Sequence, residues 1–241
     1  MNRLEDIKRF YEVLSKLEDR LEGKRLLRDL GNYRDWPQRG VYFFFEPNEQ
    51  RADSGEGLRV TRVGTHALTR GSRSTLRQRL GQHRGTGKGG GNHRGSIFRL
   101  LVGQALTESG AVSPCPSWGV KGDLTKAAAA LNIDREAIRN AERPVEEAVT
   151  NYIGQMPFLW LDIGDAPSPE SARGYIERNA IALLSNYDGT ALDPASANWL
   201  GRHSNRILVQ RSQLWNQRHV TESYDTGFVS TLARIADRKA E

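Results

Sequence analysis

Arg79 and His83 lie four residues apart in the run Ser-Thr-Leu-Arg-Gln-Arg-Leu-Gly-Gln-His at 74–83. On a helix that spacing puts both on one face, while Leu76 and Leu80, also four apart, anchor the neighbouring face. A planar guanidinium can hold two phosphate oxygens at once, and its attraction grows as charge builds on them in a transition state. Upstream, Gly-Val-Tyr-Phe-Phe-Phe at 40–45 reads as an apolar strand carrying Tyr42. Arg-Val-Thr-Arg-Val-Gly-Thr at 59–65 reads as a second strand with Gly64 near its end. A phenol, a glycine, an arginine and an imidazole on adjoining elements make a compact cationic site able to hold and polarise a phosphodiester.

The charge pattern points the same way. Net charge is +6, yet no Asp or Glu occurs between Gly57 and Thr107. That stretch carries Arg59, Arg62, Arg70, Arg73, Arg77, Arg79, Arg84, Lys88, Arg94 and Arg99, with His66, His83 and His93. A surface of one sign suits a polyanion, because each phosphate contact releases condensed counterions. The arginines alternate with Gly, Thr and Ser rather than with bulky apolar anchors, which disfavours a membrane surface. No apolar run approaches the roughly 20 residues a bilayer needs, and no apolar leader follows Met1, so a cytoplasmic protein is expected. The single cysteine, Cys115, excludes an internal disulfide and any multi-cysteine metal site.

The elements that must position these residues follow from periodicity. Leu4, Ile7, Phe10, Tyr11, Leu14, Leu17 and Leu21 mark an amphipathic helical arm within 3–30, packing on the core or on a second subunit. Strands are expected at 40–46 and 58–65, joined by a polar hairpin loop, and a third at 158–163. Helices are expected at 74–83, 96–106, 124–141 and 144–155, and at about 226–238. A further helix should start at Ser168-Pro169-Glu170, with Ser168 as N-cap and proline at its first position, and run to Tyr187. The glycine-rich segment 84–95 is either a linker or a basic flap over a nucleic-acid backbone. It is no nucleotide-binding loop, since neither Ser nor Thr follows Lys88.

The order strand, strand, helix, helix, strand, helix, with Gly40-Val41-Tyr42 in the first strand and Arg79 and His83 in the basic helix, resembles the GIY-YIG nuclease superfamily. The resemblance covers about half of the chain. It implies an α+β fold in which a small three-stranded sheet is flanked by helices. The implied organisation is an N-terminal helical arm (1–37), a catalytic core (38–200) with a helical insertion at 85–156, and a loop-rich C-terminal tail (201–241). It places the Tyr42 phenol near the attacking water or the scissile phosphate, with His83 beside it and Arg79 on the phosphate. Arg62-Val63-Gly64 stands at the second motif, where tyrosine usually comes first. An arginine there is a phosphate clamp rather than a proton carrier, since its pKa exceeds 12. The literal Tyr152-Ile153-Gly154 lies in a helical pattern and is a chance match.

The same resemblance assigns Glu177, on the helix after the third strand, as ligand of one Mg2+ (or Mn2+). It also assigns an orienting asparagine beyond that helix, Asn198 or its rival Asn186. Arg70, Arg73, Arg77, Arg84, Lys88 and Arg94 are the expected DNA contacts. The implied protein is a metal-dependent endonuclease of double-stranded DNA, most like the superfamily's restriction endonucleases and acting as a homodimer that cuts both strands. A repair or mobile-element nuclease, or a catalytically silent nucleic-acid-binding module, are the alternatives.

Overall fold

Strand β2 (Gly40–Gln50) builds two cores at once. Its side chains alternate, as a strand's period of two requires. Val41, Phe43 and Phe45 enter one apolar cluster, and Tyr42 and Phe44 enter the other. Helices cover both faces, so the run from Gly40 to Phe45 is buried throughout rather than alternately. The computed structural model describes residues 2–86 and 89–237.

The sheet is antiparallel, in the order β1 (Arg25–Leu26), β4 (Pro157–Asp162), β2, β3 (Leu58–Gly64). Three of these strands match the expected sheet, so the three-stranded expectation is corrected to four. Strand β1 has two residues, too few to show any periodicity. Helix α1 (Arg3–Arg20) stops short of residue 30, because Glu22 and Gly23 take positive φ and reverse the chain. Its Ile7, Phe10, Leu14 and Leu17 pack on the first core, with Phe10 5.8 Å from Phe43 and 6.4 Å from Phe228.

Helix α2 (Leu76–Arg84) starts in a capping box, Thr75 accepting from Gln78 N–H while the Gln78 side chain caps Thr75 N–H. Helices α3 (Ile97–Glu108) and α5 (Arg135–Gly154) pack with it on the second core. The expected break between residues 141 and 144 is wrong. The chain breaks earlier, between α4 (Leu124–Leu131) and α5, where Asn132 turns left-handed and Asp134 caps α5. Pro144 sits inside α5, whose Ile138, Glu142, Val145, Glu146 and Val149 are buried on both sides of it, so packing outweighs the lost backbone hydrogen bond. Tyr152-Ile153-Gly154 belongs to this helix. Helix α6 (Ala172–Leu184) is capped by Ser171 rather than Ser168, and it ends before Tyr187. Ser168 instead bonds Glu170 one turn earlier.

Helices α7 (Ile207–Ser212) and α8 (Phe228–Ala236) complete the chain. Between them the segment around Trp215 runs along the open edge of β3. Trp215 N–H donates to Thr61 O at 2.7 Å. The Asn216 amide accepts from Val63 N–H at 3.1 Å and donates to Val63 O at 2.8 Å, as a further strand would. The buried Glu46 carboxylate ties the region down from below. It accepts from Trp199 Nε1 at 2.9 Å, from Trp215 Nε1 at 2.7 Å and from the Tyr152 hydroxyl. Among the described residues no helix is long and apolar enough to cross a membrane.

Candidate active site

A cleft of about 700 Å³ opens at the end of β3. Arg62, Thr65 and His66 come from β3 and its continuation, Arg79 and Gln82 from α2, and Glu177 from α6. The segment from Trp215 to His219 forms the remaining wall, and Ile97, Leu101 and Ile181 supply apolar floor. Arg62, Arg79 and Glu177 therefore share one cavity although they are far apart in sequence.

Tyr42 and His83 do not line the cleft. Both are fully buried, at 0% exposure, directly beneath it. Gly64 explains how they fit. Tyr42 pairs with Gly64 across β2 and β3, and its ring lies over that glycine, where any Cβ would overlap the hydroxyl and ring. Tyr42 Oη is 2.8 Å from His83 Nε2, and His83 Nδ1 is 2.8 Å from Ser96 Oγ. Burial, reinforced by Arg79, Arg62 and Arg99, holds the His83 pKa well below its ordinary value, so the ring is neutral. A consistent assignment is Tyr42 donating to His83 Nε2, and His83 Nδ1–H to Ser96. The expected role of the phenol required it on the cleft wall. Its placement makes it the partner of His83.

Arg62 lies on the same face of β3 as Gly64 and is 5% exposed. Its guanidinium carbon sits 4.6 Å from the Phe98 ring centroid, and it donates to Trp215 O. Burial lowers its pKa, with the repulsion of Arg79 added, although a guanidinium stays charged regardless. Arg79 is freer. It donates to Gln82 Oε1 at 3.0 Å and is half-buried at the cleft rim.

Glu177 faces these cations. One carboxylate oxygen accepts from Thr65 N–H at 3.0 Å, and no hydrogen bond engages the other among the described residues. Burial raises its pKa, against the opposing pull of the Thr65 N–H and of Arg62, His219 and Arg79. No cluster of three or more potential metal-ligating side chains exists among the described residues. The donor set nevertheless fits Mg2+, which takes one or two carboxylates and completes its shell with phosphate and water. Two histidines missed in the sequence also line the cleft. His66 Nδ1 is 3.3 Å from Ser74 Oγ, and His219 Nδ1 is 2.8 Å from Glu222 Oε1. His66 could have been suspected, since it continues the strand two residues past Gly64. His219 and Arg218 carry no local signal, because only the pairing of their segment with β3 brings them here.

The other expected site residues fall elsewhere. Asn198 is exposed and outside the cleft. Asn186 is buried in a loop staple, bonding Arg3, Leu192 and Gln213. The asparagine that does line the cleft is Asn216, and both ends of its amide hold Val63. Arg70, Arg73 and Arg77 are exposed on or just before α2. Arg84 is half-buried. Arg94 is not a free cation, since it grips Glu142 bidentately at 2.6 and 2.7 Å. Lys88 lies outside the described residues.

A small antiparallel sheet carries a cleft in which two arginines face one carboxylate, an arrangement chemically able to hold a phosphate ester. The model of the GIY-YIG domain family matches residues 1–241, the whole chain. The chain belongs to that family. Comparison with curated proteins and with solved structures gave no match.

Proposed function

We propose that this protein is a metal-dependent endonuclease that hydrolyses phosphodiester bonds in double-stranded DNA, in the setting of a restriction system. Its family is one of nucleases acting on DNA. The observation that carries the reading is the opposition of Arg62 and Arg79 to Glu177 across one cleft. Two guanidinium groups there hold the scissile phosphate. Arg62 is fixed by Phe98 and Trp215, and Arg79 is free to follow the charge that grows on the phosphate oxygens. Glu177, with its free oxygen, is the residue that would hold Mg2+ or Mn2+. When bound, the cation neutralises charge on the phosphate and the leaving oxygen.

The restriction setting is supported by how the additional elements are used. The segment after α6 is woven into β3 and into the cleft wall, instead of forming a separate DNA-binding module. Specificity would then come from the cleft surroundings, and one such site in each chain of a homodimer would cut both strands. Incubation with supercoiled plasmid, with and without magnesium, tests this. Discrete fragments only with the cation are expected, and Glu177→Ala should bind DNA in calcium without cutting it. A smear would remove sequence specificity, and a mobility shift without any cutting would leave a silent binding module.

A further inference from the structure

Arginines that grip phosphate position a protein on DNA but read no sequence, because sequence is carried by the base edges in the grooves. We infer that α4 and the first turns of α5 form a helix-turn-helix, with residues 135–143 as a recognition helix for the major groove of double-stranded DNA. The inference deepens the nuclease reading, on which its choice of partner rests, by naming the element that reads base sequence.

The local sequence builds the two helices and the turn between them. Helix α4 has 8 residues, and Asp123 caps its start by accepting from Lys126 N–H at 2.9 Å. It ends at Asn132, whose φ of 54° and ψ of 42° are left-handed, a conformation asparagine tolerates better than most side chains. Ile133 N–H reaches back to Ala128 O at 3.2 Å and closes that end. Asp134 then caps α5, accepting from the N–H groups of Glu136 and Ala137 at 2.7 and 2.9 Å. Only residues 132–134 separate the helices, the short turn that such a motif needs. Helix α4 packs chiefly on α5, and the fully buried Ala127 and Ile138, one on each helix, belong to neither main core. Beyond Pro144 the same α5 sinks Val145, Val149 and Ile153 into the second core, and its Glu146 pairs with the buried Arg99. The hairpin therefore stands on a fixed base. Helix α3, on which α5 packs, supplies Ile97 and Leu101 to the cleft, so reader and cleft belong to one framework.

The outward face of residues 135–143 carries the chemistry of base recognition. Arg135, Arg139 and Arg143 are four apart and share a stripe, with Asn140 beside them, and all four are exposed. Among the described residues no carboxylate lies within ion-pair distance of these arginines. Arg143 instead donates to Asn140 Oδ1 at 3.1 Å. Within 135–143 the one exposed carboxylate is Glu136. Like charges four apart on a helix repel, and an incoming polyanion removes that cost. A guanidinium matches the O6 and N7 acceptors of guanine, and a carboxamide matches N6 and N7 of adenine, both in the major groove. This part of α5 is about 13 Å long and a helix is about 10–12 Å across, which suits a groove about 12 Å wide. Helix α4 then crosses the phosphate backbone, as the first helix of such a pair does. An RNA duplex is disfavoured, because its major groove is too deep and narrow to be read by side chains.

Selection from a pool of random DNA duplexes in calcium reads specificity without any cutting. The wild-type protein should enrich a defined sequence. Arg139→Ala and Asn140→Ala remove exposed side chains, so both should melt with the wild type. Each should bind the selected duplex roughly 10–100-fold more weakly, with little change on random DNA. Each should also relax the selected sequence at one position, while cutting of the selected duplex at saturating DNA keeps its wild-type rate. Replacing the purine at that position by its 7-deaza analogue removes the N7 acceptor from the major groove. That change should weaken the wild type and leave the matching variant unaffected. Selection and affinity unchanged in both variants would overturn the proposal, even if the protein cuts DNA. So would a wild-type protein that enriches no sequence, or one that binds an RNA duplex more tightly. Enrichment of a sequence without cutting in magnesium would remove the nuclease reading and leave the hairpin as the reader of DNA.

Discussion

Arg62 and Arg79 are both cations in one cleft, but their surroundings give them different roles. Arg79 rests on Gln82 at the rim, so little of the fold depends on it. Arg62 is packed on Phe98 and donates to Trp215 O, and its removal strips the Phe98 contact and leaves that carbonyl unpaired. Arg79→Ala should melt at the wild-type temperature, lose no more DNA affinity than one exposed phosphate contact is worth and cut roughly 10²–10³-fold more slowly at saturating DNA, as loss of one transition-state donor does. Arg62→Ala should lower the melting temperature as well as affinity, and should recover part of its rate at high DNA concentration. Thermal unfolding together with single-turnover cleavage at saturating DNA separates the two. Equal melting temperatures for both variants would show that the buried contacts of Arg62 contribute nothing to the fold.

Strand β3 shows how one glycine lets an element hold the site. Gly64 leaves room for the Tyr42 ring, and that ring carries the hydrogen-bond chain to His83. Gly64→Ala should cost about 1–3 kcal/mol by overpacking and should displace Tyr42, so cleavage falls together with stability. A stable and active Gly64→Ala protein, measured by denaturant unfolding and cleavage, would detach the glycine from this role. The strands β2, β3 and β4 were legible because each is a long apolar or β-branched run, and α2 because its residues set both a capping box and a leucine stripe. Strand β1 was not legible, since two residues have no period. Nor was the continuity of α5, where burial on both sides of Pro144 overrides a local breaker. Within the site, Arg79 of α2 could be read from its spacing, while Arg62 of β3 and Glu177 of α6 came from the resemblance to the nuclease superfamily. Asn216, Arg218 and His219 could not, because their position comes from hydrogen bonds to Thr61 and Val63 some 150 positions away in sequence.

Across the molecule, long-range pairing also reshapes the charge seen in the sequence. Glu46 links the sheet, α5 and the segment around Trp215 through three donors. Glu46→Ala should therefore destabilise by several kcal/mol, at about 1–3 kcal/mol for each orphaned donor. Glu46→Gln should be milder, since its carbonyl can serve both indoles and its amide can donate to the Tyr152 oxygen. Comparable melting temperatures for the two variants would contradict this. The acid-free stretch from Gly57 to Thr107 is in turn partly neutralised by carboxylates from elsewhere. Arg59 pairs with Glu49 at 2.8 Å, Arg94 with Glu142 at 2.6 Å and Arg99 with Glu146 at 2.5 Å, while Arg62 is buried. The cations left to meet a DNA backbone among the described residues are chiefly Arg70, Arg73, Arg77 and Arg79, joined by Arg218 from the far end of the chain. Each phosphate neutralised contributes about −0.9 to the slope of log affinity against log salt. Five contacts give a slope of about −4 to −5, whereas ten free cations would give about −9. Arg73→Ala and Arg77→Ala should each flatten the slope by about one, and Arg94→Ala should leave it unchanged. Binding measured in calcium between about 50 and 200 mM salt reads these slopes directly. A slope near −9, or one that Arg94→Ala flattens, would mean that the paired arginines release their carboxylates when DNA binds.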